Sequence, residues 1–490
     1  MSFTNTFANQ GGPIPLLYLD QNFGDISDTS NTAKGDALIG VKLNATGATA
    51  RTQDAKNAEV VSVKDFGAAG DGITDDTNAI VNAMAAVSDG ATILFPTSSG
   101  HYVFSQLTIT KTITFLGSGY SCPTQATFGS TDYLTQPSGS VLRSTAASGT
   151  AITCTTNNKA PRFANLCIVG PGTGTATALV FGAAAGYQTH GRWQDIFIVN
   201  FYRGTKLANV EDWTFDTLRH RGIYTEALTI WSDGAAGANT NQNVFINYEA
   251  QSSGSGIYVT EGADNLFVGG ALQGLTEPIK FKPSGAGRTA GFKFEKIWFE
   301  SNSSNVILDL TSGGVEFLTF EGNNFNTSGN LFSLTNPSNN TVTRLTLNDN
   351  AASGVTLDLS PGASVGPAYK FVGGSNNQFS SIIPSNAVAS SPVLGPVVIT
   401  LAANATTLDA SAGSDFLTVA NGGATAIASI SNGRLGQVIT IAGGSSTNAT
   451  TIADSGVFKL NGALTLNANT TVTLKTYDGT NWLEMARSVN

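Results

Sequence analysis

VFINYEAQSSGSGIYVTEGADNLFVGGALQGLTEPIKF, residues 244–281, holds two copies of one pattern. In each copy an apolar run closing on INYE or GALQ is followed, across a Gly- or Ser-rich turn, by a short strand-like segment, IYV (257–259) or IKF (279–281). The pattern continues downstream. Segments ending at Glu249, Gln273, Glu300, Asn326 and Asn350 succeed one another at intervals of 24, 27, 26 and 24 residues. Each is followed within eight residues by another β-rich run, the later ones being VILDL (306–310), LFSL (331–334) and VTLDL (355–359). Two or three strands per period of about 25 residues is the mark of one coil of a parallel β-helix. A single coil cannot bury its apolar face, so coils stack at the strand spacing of about 4.8 Å.

Upstream of the repeat, VSVKDFGAAGDGITDDTNAI (61–80) opens with a short strand and a Gly-Asp turn. It then enters TDDTNAIVNAMAAV (74–87), where Ile80, Ala83, Met84 and Val87 fall at helical spacing. Thr74 or Asp75 is the expected N-cap. This is the only helix the pattern supports, and it is expected to cap the exposed edge of the first coil. After it, ATILFP (91–96), HYVF (101–104), LTIT (107–110) and TITFLG (112–117) are four strand-like runs in succession. Residues 1–58 are polar apart from an apolar island at Ile14 to Leu19 and read as an attachment segment and linker. Residues 59–385 form the helix of coils, and 390–490 change texture to short strands with Gly and Asn turns. Their spacing of 8–12 residues predicts an antiparallel β-sandwich rather than further coils. The expected fold class is therefore all-β, a parallel β-helix with a short N-terminal capping α-helix and a C-terminal antiparallel sandwich.

Composition agrees and excludes alternatives. Only 12% of the 490 residues are charged, against about 25% in ordinary soluble domains. Fifty-five glycines suit many tight turns, and 41% hydrophobic residues still supply a core. A net charge of −9 without any basic block argues against duplex nucleic acid and anionic membranes as partners. Three cysteines, Cys122, Cys154 and Cys167, and three scattered histidines have no metal-ligand spacing, so neither a metal nor another cofactor is expected. No window is apolar enough to span a membrane, and the first residues lack the pattern of a secretion signal, which predicts synthesis in a cytoplasm and no membrane insertion.

The segment 61–80 and the ATILFP…HYVF…LTIT…TITFLGSG that follows it closely resemble the opening of the pectate-lyase-like right-handed β-helix superfamily. IPLLYLDQNF (14–23), GDALIGVKLNATGATART (35–52) and the closing TVTLKTYDGTNWLEMARS resemble segments of bacteriophage tail proteins, and together they point to tailspike capsule depolymerases. The motif is specific for the fold and says little about chemistry. The resemblance implies a homotrimer in the virion tail, made in the bacterial host cytoplasm and joined to the tail or an adaptor protein through its N-terminus. The implied partner is a bacterial capsule or O-antigen polysaccharide.

Cleaving such a polymer by hydrolysis needs two carboxylates in different environments. Cleavage by elimination needs a base and a means of neutralising a uronate. Either needs aromatic faces for sugar C–H surfaces. Residues 190–300 carry four of the five tryptophans and many acidic residues, among them Asp195, Asp212, Glu226, Asp233, Glu261 and Glu295. Glu249 and Glu300 end equivalent segments two coils apart, about 9.6 Å along the axis, and with Asp216 they are the candidate catalytic set for an endoglycosidase. Trp193, Arg219, Arg221, Tyr224, Trp231, Tyr248, Tyr258 and Trp298 are the candidate substrate-binding residues. The basic cluster Arg219, His220, Arg221 and Tyr224 leaves a polysaccharide lyase open as the second reading, and a spike that only binds glycan as the third.

Overall fold

A computed structural model describes residues 16–488 except 29, 32, 123–126, 155–160, 183–187, 232–239, 286, 336–339, 353, 359–371, 376, 380, 384–397, 411–414 and 434. Asp233, the start of the apolar island at Ile14 and the expected boundary near 385–390 lie outside the described residues.

The chain from Val60 onward winds into a parallel β-solenoid of about 12 turns. One long sheet, bent within each coil, runs from Val60–Ser62 through Arg162–Val169, Gln188–Val199, Val210–Arg221, Val244–Gln251 and Leu266–Gln273 to Leu345–Asn348 and Val372–Ser375. A nine-stranded sheet faces it, from Leu107–Ile109 through Glu226–Trp231 and Ser255–Val259 to Phe332–Thr335. Pairings between successive coils are parallel in both sheets.

The coils close because particular residues bend the backbone. Asn165, Asp195, Thr217, Asn247, Gly269 and Lys296 occupy successive rungs of one corner, all in the left-handed region with φ between 51° and 68°. A second corner stacks His190, Asp212, Gln242, Asp264, Gly291 and Phe317 in the same conformation, with φ between 52° and 69°. One left-handed residue turns a strand without ending its ladder, and Asn, Asp and Gly adopt it at least cost.

Inside, identical side chains stack on themselves. Phe215, Phe245, Phe267, Phe294 and Phe320 form a column with ring centroids 4.7, 4.3, 5.1 and 5.1 Å apart and planes within 17°. Polar groups at a corner are satisfied in the same repeating way. The buried Asn323 and Asn350 amides donate to the carbonyls of Phe294 and Phe320 at 3.0 and 2.9 Å. Their side-chain oxygens accept the N–H groups of Ile297 and Asn323.

The expected capping helix is Thr77–Ala86, and Ile80, Ala83, Met84 and Val87 are buried as the spacing predicts. Its N-cap is Asp76, not Thr74 or Asp75. The Asp76 carboxylate reaches past the helix to accept the N–H groups of Ala69 and Gly70 at 2.6 and 3.0 Å, so it secures the preceding Gly-rich turn. At the other end Lys111 Nζ donates to the carbonyls of Met84, Ala85 and Val87 at 2.9, 2.8 and 2.7 Å. A second longer helix, Leu16–Ser27, was not expected. Nearby, Lys34 pairs with the buried Asp25 at 2.6 Å, a contact that periodicity does not reveal.

The C-terminal domain is a set of sheets around its own apolar core, including Phe416, Ile441, Leu474 and Trp482. It is mixed rather than antiparallel. Val398–Thr400, Asp415–Thr418 and Val438–Gly443 pair in parallel, Thr471–Thr476 pairs antiparallel with Val438–Gly443 and with Trp482–Ser488, and Phe458–Lys459 joins Trp482–Ser488 in parallel. Asn421 explains part of this: its amide donates across the turn to Asn448 O at 2.8 Å, holding a solenoid-like corner.

Replacing Phe267 removes the middle of the ring column. Phe267→Ala is expected to cost about 3–5 kcal/mol, read as a lowered guanidinium midpoint; a shift no larger than that of a surface substitution would remove the column from its stabilising role.

Candidate functional site

The outer face of the long sheet is two columns of side chains whose character changes along the axis. In one column the register runs Val141, Cys167, Phe197, Arg219, Glu249, Ala271, Trp298 and Asn324. In the next it runs Val169, Val199, Arg221, Gln251, Gln273, Glu300 and Asn326. The first rungs are apolar and covered; from Arg219 and the still buried Arg221 onward they are mostly polar, interrupted by Ala271 and Trp298.

The cover is an insertion between coils, described over residues 118–122 and 127–140. Strands Tyr120–Ser121 and Ser138–Gly139 form a small hairpin, with the helical turn Asp132–Thr135 between them. Tyr133 lies fully buried against Val141, Cys167, Val169, Phe197 and Val199, and Tyr120, Cys122 and Leu134 pack on the same cluster. Gly129 N–H donates to Asn200 Oδ1 at 2.9 Å, fastening the insertion at its far side. The insertion therefore ends as a wall beside the first polar rungs.

At the foot of that wall lies an ionic network. Tyr120 Oη donates to Asp195 Oδ1 at 2.8 Å, and Arg219 Nη1 donates to the same oxygen at 2.8 Å. Arg219 Nε faces Glu249 Oε2 at 3.4 Å, while Arg221 donates to Glu249 Oε1. Burial, with the Asp195 carboxylate beside it, pushes the Tyr120 phenol well above its ordinary value, so it remains a donor. Asp216 sits on the other side of the corner, paired with Arg192 at 2.5 Å and accepting from Thr217 Oγ1 at 3.0 Å.

Two rungs beyond Glu249 the environment differs. Glu300 Oε2 accepts from Gln273 Nε2 at 2.6 Å and from the indole N–H of Trp298 at 3.2 Å, both neutral donors. Trp298 is 39% exposed. In the column between Glu249 and Trp298 the rung carries Ala271, preceded by Gly269 and Gly270. A Cβ on Gly270 would stand 2.0 Å from the Tyr248 carbonyl, so this position beside the corner must be glycine. The result is a dip about one coil wide, with a carboxylate on each side and an indole at its rim.

This geometry corrects several expectations. Glu249 and Glu300 are not in one column: Glu249 aligns with Ala271 and Trp298, Glu300 with Gln273 and Gln251. The two-residue offset adds about 6.6 Å to the axial 9.6 Å, placing the Cα atoms about 12 Å apart. Counting from segment ends hid this, because the coil lengths vary. Trp193 and Tyr248 are core residues, 0% and 1% exposed, and not part of the surface. His220 also points inward; burial lowers its pKa to about 3, and its Nε2 meets Thr205 Oγ1 at 2.9 Å. Trp231 and Tyr258 lie on the nine-stranded sheet, under Lys206 at 3.6 Å and Lys280 at 5.9 Å respectively, away from the dip. Tyr224 is exposed and flanked by Tyr202 and Phe128, with ring centroids at 5.0 and 5.3 Å.

Tyr120 and the central place of Asp195 were missed by sequence reasoning. Asp195 is one of many acidic residues between 190 and 300, and its only local signal is a corner position that favours Asp. Tyr120 comes from an insertion with no repeat. Among the described residues no three His, Cys, Asp or Glu side chains gather as a metal site, and no helix is long and apolar enough to cross a membrane.

The profile of the rhamnogalacturonase A/epimerase, pectate lyase-like family matches residues 60–358, more than half of the chain. The chain belongs to that family. It is also similar to the tail spike protein of Shigella phage Sf6, 38% identical over 141 residues, which are 28% of this chain and 21% of the relative. A second likeness is to the tail spike protein of an Escherichia phage, 46% identical over 67 residues, 13% of this chain and 8% of the relative. Each match thus spans well under two thirds of the relative's length. Among solved structures, a double-mutant tailspike protein of E. coli bacteriophage HK620 in complex with pentasaccharide aligns with TM-score 0.48 and 12% identity, covering 89% of this chain and 71% of that one. The mannuronan C-5 epimerase AlgE6 A-module of Azotobacter vinelandii aligns with the same TM-score, 0.48, at 17% identity, covering 69% of this chain and 100% of that chain.

Thr217 is a β-branched residue held at φ 59° beside Asp216, a conformation costing about 1–2 kcal/mol. Thr217→Asn is expected to raise stability by about 1 kcal/mol, read as a higher guanidinium midpoint; an unchanged or lower midpoint would show that the corner carries no strain.

Proposed function

We propose that the chain is a bacteriophage tailspike that binds a bacterial surface polysaccharide, capsule or O-antigen, and depolymerises it by endoglycosidic hydrolysis. The dip at Gly269, Gly270 and Ala271, flanked by Glu249 and Glu300, carries this reading. A sugar ring seated there stacks a C–H face on Trp298 and lies between two carboxylates whose surroundings differ. Glu249 faces two guanidinium groups, and Glu300 faces two neutral N–H donors. Such unlike environments divide acid from base. Cα atoms about 12 Å apart allow carboxyl groups to stand at the roughly 6.5–9.5 Å of an inverting hydrolase. In that division Glu300 protonates the leaving oxygen and Glu249 activates water. Asp216, across the corner, is the third acidic candidate, and Asp195 with Tyr120 holds Arg219 in place.

Elimination fits less well. The lyase reading relied on the 219–224 cluster, yet Arg219 and Arg221 face Asp195 and Glu249, and His220 is buried in the core. Residues 1–58 are proposed to join the tail or an adaptor protein, and the spike to act as a homotrimer.

Incubation with host capsule or O-antigen tests the reaction. New reducing ends without ultraviolet absorbance of an unsaturated uronate are expected; that absorbance would mean a lyase, and no products would leave a glycan-binding spike. Glu249→Gln and Glu300→Gln are each expected to lower the rate by about 10²–10⁴-fold. Ala271→Phe, on the outer face, is expected to fill the dip and lower kcat/KM by about 10²-fold with the melting transition unchanged. Full activity of this variant would move the site elsewhere.

A further inference from the structure

The insertion that walls the groove touches the solenoid through sulfur. Cys122 follows the strand Tyr120–Ser121, which lies directly on the strand Arg162–Val169. That second strand carries Cys167 on its outer face, in the apolar column covered by the insertion. Cys122 packs on the cluster that contains Cys167, and both thiols are free. Cys122 is half-buried at the edge of the cluster, Cys167 fully buried beneath it. The third cysteine, Cys154, lies on the facing sheet with its side chain in the interior core, away from this pair.

We propose that Cys122 and Cys167 form a modification site, an oxidisable thiol pair that closes a disulfide between the insertion and the sheet it covers. The oxidant is a low-molecular-weight disulfide. Cys122, the sulfur that solvent reaches, attacks it first and releases one thiol. Cys167 then attacks the mixed disulfide at the Cys122 sulfur and releases the second. Two S–H bonds and one S–S bond break, one S–S bond and two S–H bonds form, and the two electrons pass to the added disulfide. Burial pushes the Cys167 thiol well above its ordinary value, so the second step is the slow one and quickens as pH rises. In a reducing cytoplasm the pair stays reduced; in an oxidising medium it closes. The bond adds a covalent tie to the wall where Tyr120 meets Asp195 and Arg219, by closing a loop of chain between the insertion and the sheet beneath it.

The test uses the full chain and does not depend on any glycan activity. The protein is treated with oxidised glutathione or with dithiothreitol, then unfolded, alkylated and mapped by peptide mass. After dithiothreitol all three cysteines are expected to be alkylated. After oxidation only Cys154 is expected to be alkylated, with a linked Cys122–Cys167 peptide present. Glutathione retained on Cys122 with Cys167 still alkylated, or three alkylated cysteines, would overturn the proposal. Limited proteolysis within 118–140 is expected to slow by about tenfold in the oxidised protein, and not in Cys122→Ser. Equal rates in the oxidised and reduced wild-type protein would equally count against the bond.

Discussion

In-register parallel stacking is the interaction on which the rest of this molecule depends. Each coil must present its N–H and C=O groups at the height where the next coil needs them, and a coil can do so only if its corners turn without breaking the ladder. The columns of left-handed residues at Asp195, Thr217 and Asn247, and at Asp212, Gln242 and Asp264, make those turns. Once they are set, like side chains meet like. Phenylalanine rings stack on phenylalanine rings, and buried asparagines pass hydrogen bonds from coil to coil.

The same stacking builds the candidate site. A residue's neighbours on the outer face are set by register, not by sequence distance, so Glu249 meets Arg219 from the coil before and Ala271 from the coil after. Small residues on a single rung then suffice to open a dip, because rungs about 4.8 Å apart carry one side chain per column. The insertion at 118–140 adds what stacking alone lacks, a wall at one end of an otherwise open face. Its apolar underside and the apolar rungs at Cys167, Phe197 and Val199 bury one another, and without it those rungs would be exposed.

Much of the fold was legible in the residues. The interval of about 25 between INYE, GALQ and IWFE, and the stripe at Ile80, Ala83, Met84 and Val87, each follow from a periodicity that only one architecture satisfies. The site was legible only in part. Glu249, Glu300, Arg219 and Trp298 were recognised as candidates and share one face, but their relative positions were misjudged by two residues, because coils of unequal length shift the register. Trp193 and Tyr248 looked like sugar platforms and are core, since an aromatic in a coil can point either way and the alternation is interrupted at each corner. The C-terminal domain reads as antiparallel in the sequence because short strands with Asn turns look alike in either pairing; which strands meet, and in which direction, is set by contacts between segments.

The amino-acid sequence by itself determined the repeating coil, its cap and the residue types available on its surface, because these depend on local pattern and period. Tertiary structure alone decided which of those residues meet. Register between coils, the direction of each side chain past a corner, and the docking of Tyr120 and Cys122 from a distant insertion are set by contacts between segments. No local spacing encodes them.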